Sequence, residues 1–144
     1  MANDKPILGI DLGEKRTGVA LALMPERIAV PLVVLTPADE NTLIEEIIRL
    51  MKRYSAETLV VGLPMDLNDA QGIAAQKVRK RVEKLKERTG GEWIFWDESY
   101  STREAQDFLI QSKVSRKRRK EVIDKLAAQT ILQSYLNSQK NGQK

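Results

Sequence analysis

Asp11 stands in the run Ile7-Leu8-Gly9-Ile10-Asp11-Leu12-Gly13, which otherwise reads as a fully buried β-strand. Burying an ionised carboxylate costs on the order of several kcal/mol unless a metal ion, a cation or hydrogen bonds compensate it, so Asp11 is the first candidate for chemistry. Two further positions supply acids that can join it. Asp97-Glu98 follows the apolar run 93–96, where a strand should end. Asp124 shares a helical stripe with Ala127, Ala128, Ile131 and Tyr135, which sets a carboxylate on the apolar side of a helix. Carboxylates converging from separate elements repel one another unless cations lie between them. The matching chemistry is metal-assisted phosphoryl transfer, in which two ions roughly 3.5–4 Å apart activate water and stabilise the leaving oxygen of a phosphodiester.

Composition narrows the choice. The chain has neither Cys nor His, which excludes thiol nucleophiles, Ser-His-Asp relays, disulfides and the usual zinc ligand sets. Carboxylates, lysines, arginines and hydroxyls remain, a set suited to a hard cation held by oxygens; Mg²⁺ and Mn²⁺ both fit it.

The net charge of +4 is unevenly spread. Residues 77–88 hold seven Lys/Arg against two acids, and residues 113–125 repeat that balance, leaving the rest of the chain acidic. Two basic segments on an acidic background point to a polyanion, and nucleic acid is the partner expected. Lys77, Arg81 and Lys84 share one helical face, and Arg116, Lys117, Arg118 and Arg119 open the last basic segment; all seven are expected as outer backbone contacts, which position without reading sequence. Lys15 and Arg16 fall in the turn after Asp11, where they could clamp a phosphate. The plainer alternatives are solvated helix faces and a turn made basic for solubility.

The elements that must position these residues follow from periodicity. Strands are expected at 6–12, 17–23, 28–35, 58–63 and 92–97. Pro31 puts the third at an edge, because proline cannot donate to a central ladder. Helices are expected over 41–54, with a Thr42/Glu45 capping box, over about 70–89, with Ala74, Val78, Val82 and Leu85 inward, from about 102, with a Ser101/Glu104 box, and in a last long segment ending near Asn137. Three strands followed by alternating helices and strands imply an α/β fold: a five-stranded mixed sheet of order 3-2-1-4-5, with helices on both faces. The C-terminal ends of strands one, four and five would then share one rim, where open α/β sheets bind ligands.

The expected organisation is a single nuclease domain over 1–137 and a disordered tail over 138–144. No segment has the composition of a targeting peptide or a membrane span, so a cytoplasmic protein, monomer or homodimer, is expected.

Four motifs in order carry a resemblance: Ile10-Asp11-Leu12-Gly13-Glu14-Lys15-Arg16-Thr17-Gly18, Val61-Gly62-Leu63-Pro64, Asp97-Glu98 followed by Ser101-Thr102-Arg103-Glu104-Ala105, and Asp124-Lys125-Leu126-Ala127-Ala128. Together they resemble the YqgF family, RNase H-like proteins associated with Holliday junction resolution and with pre-16S rRNA cleavage. The resemblance implies an RNase H-like fold, a divalent metal, and an endonuclease that hydrolyses nucleic-acid phosphodiesters, with a structured RNA precursor or branched DNA as substrate. Asp11, Glu98 and Asp124 match the family's three acids, and Ser99 stands where the family often has Arg.

Two other classes compete. An actin-like ATPase shares the Asp-x-Gly-x-x-x-x-Gly pattern of Asp11, Gly13 and Gly18, but binds nucleotide between two related domains, which 144 residues do not supply. A non-catalytic RNA-binding ribosome-assembly factor would explain the basic segments, yet not inward-facing acids beside a polyanion.

Overall fold

The computed structural model describes residues 5–64, 72–97 and 116–142, with the side chains of the last helix described over 126–139. Strands β1 (Ile7–Leu12), β2 (Thr17–Leu23) and β3 (Ile28–Leu35) are followed by α1 (Glu40–Tyr54), β4 (Thr58–Leu63), α2 (Ile73–Thr89), β5 (Glu92–Asp97) and α3 (Arg116–Gly142). The sheet order is β3-β2-β1-β4-β5. β1 pairs antiparallel with β2 and parallel with β4, and β4 pairs parallel with β5. The sheet is therefore the expected mixed one, with β1 central and the Pro31 strand at an edge.

Alternation along the strands divides the core in two. Leu8, Ile10, Val19, Leu21, Leu59, Val61 and Trp93 face α1 and α2, where Leu43, Ile47, Val82 and Leu85 close over them. Ile7, Ala20, Ala22 and Val60 face α3, which covers them with Ala128, Ile131, Leu132, Tyr135 and Leu136. The first layer is built of large aliphatic side chains, while the second is rich in alanine and thus thinner. It is thinnest at Gly9: a Cβ there would stand 2.7 Å from Leu132 Cβ and 2.9 Å from the Ala128 carbonyl oxygen.

Three local expectations are corrected. The N-cap of α1 is Asp39, whose Oδ1 accepts from the Thr42 amide at 2.8 Å, so Thr42 supplies an amide rather than the cap. That bond also holds the Asp39 carboxyl below its ordinary pKa, because it favours the charged form. In α2 the inward alanine is Ala75, not Ala74: Ala75, Val78, Val82 and Leu85 recur at three and four residues. α3 runs through Gly142 instead of ending near Asn137; no proline or glycine interrupts residues 138–141, and the Ser138 hydroxyl donates to the Tyr135 carbonyl at 2.8 Å. The short helix expected from about 102 and its Ser101/Glu104 box lie outside the described residues.

Side chains of α3 cap the start of the β3 edge. Ala29 donates its N–H to Gln133 Oε1 at 2.8 Å, and its carbonyl accepts from Gln129 Nε2 at 3.0 Å. Gln133 Nε2 also donates to the Arg27 carbonyl at 3.3 Å, and Pro31, two residues beyond Ala29, has no N–H to offer. Edge strands left open recruit other chains, and prolines and covering helices are the usual remedies. The contacts also orient α3. Gln133 reaches Arg27 and Ala29, and Gln129, one turn earlier, reaches only Ala29, so the helix runs opposite to β3 and β1 with its earlier residues toward the C-terminal end of β1.

The close approach at Gly9 yields a test. Gly9→Ala should lower stability by about 1–3 kcal/mol, the usual range for overpacking a filled core, read as a lower urea midpoint at unchanged slope. An unchanged midpoint would mean that α3 does not lie against β1 at this distance.

Candidate active site

β1, β4 and β5 are mutually parallel, so their C-terminal ends, Leu12, Leu63 and Asp97, lie on one rim. Asp11 is half-buried there, opposite Gly18 of β2. Ile10 pairs with Val61 and Val61 with Phe95; one step further brings Asp11 level with Gly62 and Trp96. By alternation Asp11 shares the sheet face of Ile7 and Gly9, the face that α3 covers. Gly62 contributes no side chain on that face. Asp11 does not stand isolated: it makes a polar contact of its own within the protein.

Asp97 is removed from this arrangement. It pairs with Leu63 and belongs to the alternating set of Trp93 and Phe95, so it points to the α1/α2 side, the opposite face from Asp11. The expectation that Asp97 projects into the same crevice as Asp11 is thereby corrected by the period of two along the strand. Glu98 lies outside the described residues.

The apolar stripe expected of the last helix is present, with Ala127, Ala128, Ile131 and Tyr135 all buried. The backbone of Asp124 lies one helical turn before Ala128, which abuts Gly9; since α3 runs opposite to β1, that turn is displaced toward the rim. The side chains of Asp124, Arg116, Lys117, Arg118 and Arg119 are outside the described set. Among the described residues no three His, Cys, Asp or Glu side chains gather into a metal-holding group.

Trp96, level with Asp11 in the sheet register, fastens β5 to Tyr135 of α3. Their rings meet edge to face, centroids 5.7 Å apart at 83°, and Trp96 Nε1 donates to the Ser134 hydroxyl at 3.0 Å. Trp93 is buried in the opposite layer and donates to Thr89 Oγ1 at 3.1 Å. Both tryptophans thus serve packing.

The cations of the rim differ in their freedom. Lys15 is exposed at the apex of the β1–β2 turn, Arg16 is half-buried, and the turn is closed by the Gly13 N–H donating to the Arg16 carbonyl at 2.8 Å. Lys77 and Lys84 are exposed on α2. Arg81, expected among the outer contacts, is instead engaged by the fold. Its Nε and Nη2 donate to the Glu40 carboxylate at 3.0 and 2.9 Å, and its Nη1 donates to the Gly13 carbonyl at 2.8 Å. Leu12, Pro64, Ile73, Lys77 and Arg81 border a recess of about 520 Å³ on this side of the rim. Sequence reasoning passed over Glu40, Gln129 and Gln133. The two glutamines carry a signal, standing four apart beside the apolar stripe, whereas nothing local announces that Glu40 meets a residue 41 positions away.

This sheet order, with a long C-terminal helix across the central strand, is that of the RNase H-like fold. The Thermus thermophilus RuvC structure in complex with a Holliday junction substrate matches with a TM-score of 0.56, covering 94% of this chain and 96% of that one at 12% identity. The fowlpox virus resolvase in complex with Holliday junction DNA matches with a TM-score of 0.53, covering 93% and 98%, also at 12% identity. Such distant likeness establishes the fold alone.

Sequence places the chain more finely. The family described as "RuvX: Holliday junction resolvase" matches residues 5–138, and the chain belongs to that family. A protein of Caldanaerobacter subterraneus subsp. tengcongensis named "Putative pre-16S rRNA nuclease" is 43% identical over 136 residues, 94% of this chain and 98% of the relative. A Listeria monocytogenes protein of the same name is 41% identical, covering 92% of this chain and 97% of the relative.

The Trp96–Tyr135 contact has a pH signature. Burial, with a smaller contribution from Glu92, raises the Tyr135 phenol above its ordinary value of 10.0, so the fold favours the neutral ring. That stabilisation is complete below pH 10 and is lost as pH rises through the raised value. Urea midpoints measured from about pH 9 to 11 should therefore fall less steeply in Tyr135→Phe than in the wild type; identical alkaline slopes would place the phenol in water.

Proposed function

We propose that the chain is a metal-dependent endonuclease that hydrolyses nucleic-acid phosphodiesters, processing the 5′ end of pre-16S rRNA in the cytoplasm, with Asp11, Glu98 and Asp124 as its metal-holding carboxylates. The observation that carries this reading is the position of Asp11: a half-buried carboxylate at the rim end of the central strand, on the face where α3 passes with Asp124 one turn from the Gly9 contact. The names of the relatives support the RNA substrate.

The donor chemistry suits the ion. A site built from carboxylates in a chain without Cys or His offers hard oxygens alone. Mg²⁺ or Mn²⁺ bound there supplies water activation and neutralises charge on the leaving oxygen. The protein's own contribution is to hold the acids at fixed positions and to bring phosphates to them. Lys15 and Arg16 stand on the turn that follows Asp11, and Lys77 and Lys84 line the exposed side of α2, which starts at the same rim. Arg116, Lys117, Arg118 and Arg119 open α3, whose early turns are directed to that rim, and complete the backbone contacts. These cations attract substrate whatever its sequence.

The family description favours a second reading, a four-way DNA junction as substrate. Symmetric resolution requires two active sites and hence a dimer, whereas RNA trimming is open to a monomer. The deciding experiment offers end-labelled pre-16S RNA and a four-way DNA junction side by side, with Mg²⁺ or Mn²⁺. Cuts in the RNA support the processing reading, and paired cuts in the junction support resolution. Asp11→Asn should reduce cleavage to background while binding stays equal or tightens, since a negative charge is removed; full cleavage by that variant would sink the metal-site assignment. Replacing both Lys77 and Lys84 by Ala should lower the slope of log K against log salt by about 0.7–0.9 for each phosphate that the variant no longer neutralises. An unchanged slope would show that α2 does not touch the substrate.

A further inference from the structure

We propose that Arg81, gripped by Glu40, is a positioning residue: it fixes the start of the β1–β2 turn and so sets where Asp11 stands. The role rests on the nuclease reading above and deepens it. Arg81 occupies the same helical stripe as Lys77 and Lys84, one turn from each, yet it behaves differently. Its side chain is 28% exposed, and all three of its nitrogens are engaged.

The geometry is that of a fixed brace. Glu40 takes the Nε and Nη2 side of the guanidinium with both carboxylate oxygens, at 3.0 and 2.9 Å, which sets the plane of the fork. That plane aims Nη1 at the Gly13 carbonyl, 2.8 Å away. Gly13 is thus held from both sides, because its N–H already donates to the Arg16 carbonyl across the turn. The turn has no slack of its own: a Cβ on Gly13 would stand 2.5 Å from the Arg16 carbonyl oxygen. The first residue of α1, the middle of α2 and the turn that ends β1 are joined through one side chain.

Asp11 is two residues from Gly13 on the same extended backbone. A catalytic constellation must be held to about 0.5 Å, and a displacement of about 1 Å far from the chemistry can cost about a hundredfold in rate. Leu12–Thr17 is the last pair of the β1–β2 ladder, and the Arg81 brace on Gly13 holds the chain immediately beyond it, two residues from Asp11. Lysine at 81 would keep the charge but could not reach both Glu40 and Gly13 with a planar fork. A positioning role and a phosphate-contact role therefore diverge in what Arg81→Lys changes.

The test compares wild type, Arg81→Lys and Glu40→Gln as full chains on whichever substrate the wild type cleaves, with melting temperatures recorded and rates taken well below them. Expected is a fall in kcat of tenfold or more for Arg81→Lys, with KM within about twofold and the salt dependence of binding unchanged. Glu40→Gln leaves Arg81 in place and weakens only its grip, so its kcat should fall in the same direction but less; it decides the matter if Arg81→Lys does not fold. Mn²⁺ affinity, read by electron paramagnetic resonance without substrate, should weaken in both variants. A raised KM with unchanged kcat would make Arg81 a substrate contact and overturn the proposal, as would wild-type kinetics in both variants. A wild type that cleaves neither substrate with either ion overturns the nuclease reading and this role with it, whereas a cleaving wild type matched by the variants overturns this role alone.

Discussion

No side chain separates β1 from α3 at Gly9, and much of the molecule depends on that contact. Leu132 and the Ala128 carbonyl occupy the place where a Cβ would be, so the helix lies closer to the central strand than an ordinary layer of leucines allows. Ala20, Ala22 and Ala29 extend the thin layer across β2 and β3. The opposite face is padded by Leu8, Ile10, Leu43, Ile47, Leu59 and Leu85, which hold α1 and α2 further out. A close helix on one face and a thick aliphatic layer on the other give the sheet two unlike sides, and the half-buried carboxylate belongs to the close one.

This asymmetry separates two tasks along the rim. The Asp11 side is the one that α3 covers, with Trp96 and Tyr135 tying that helix to β5. The other side carries Lys77 and Lys84 on an exposed helix and a recess walled by Leu12, Pro64 and Ile73. Adjacent residues Asp11 and Leu12 face the two sides in turn. The β1–β2 turn stands between them, with Lys15 exposed at its apex.

Much of this was legible in the sequence because it depends on local period. The five strands were readable from short apolar runs, Pro31 announced an edge, and the sequence Ala127, Ala128, Ile131, Tyr135 announced the buried stripe of α3. Errors arose where competing local patterns were nearly equal. Ala74 and Ala75 both precede Val78 at helical spacing, and only docking against the sheet selects Ala75. Thr42 and Asp39 are both good caps, and Asp39 prevails because the helix starts one residue earlier, at Glu40. Alternation along β5 up to its last pair, Leu63 with Asp97, separates Asp97 from Asp11, a distinction that needs the β4–β5 register. Arg81 was illegible for another reason: periodicity assigns it to a basic stripe, and its partners come from residues 13 and 40, which no local rule brings together.

The capping of the β3 edge links two properties that are usually considered apart. Gln129 and Gln133 belong to the helix, while the groups they cover belong to the strand. As long as α3 is docked, Ala29 has no free N–H or carbonyl for a foreign strand. When α3 detaches, the caps leave with it, and the first backbone groups laid bare are those that template intermolecular sheet growth. The docking energy of one helix thus sets not only how firmly the candidate site is assembled but also how well the chain resists aggregation under heat or crowding.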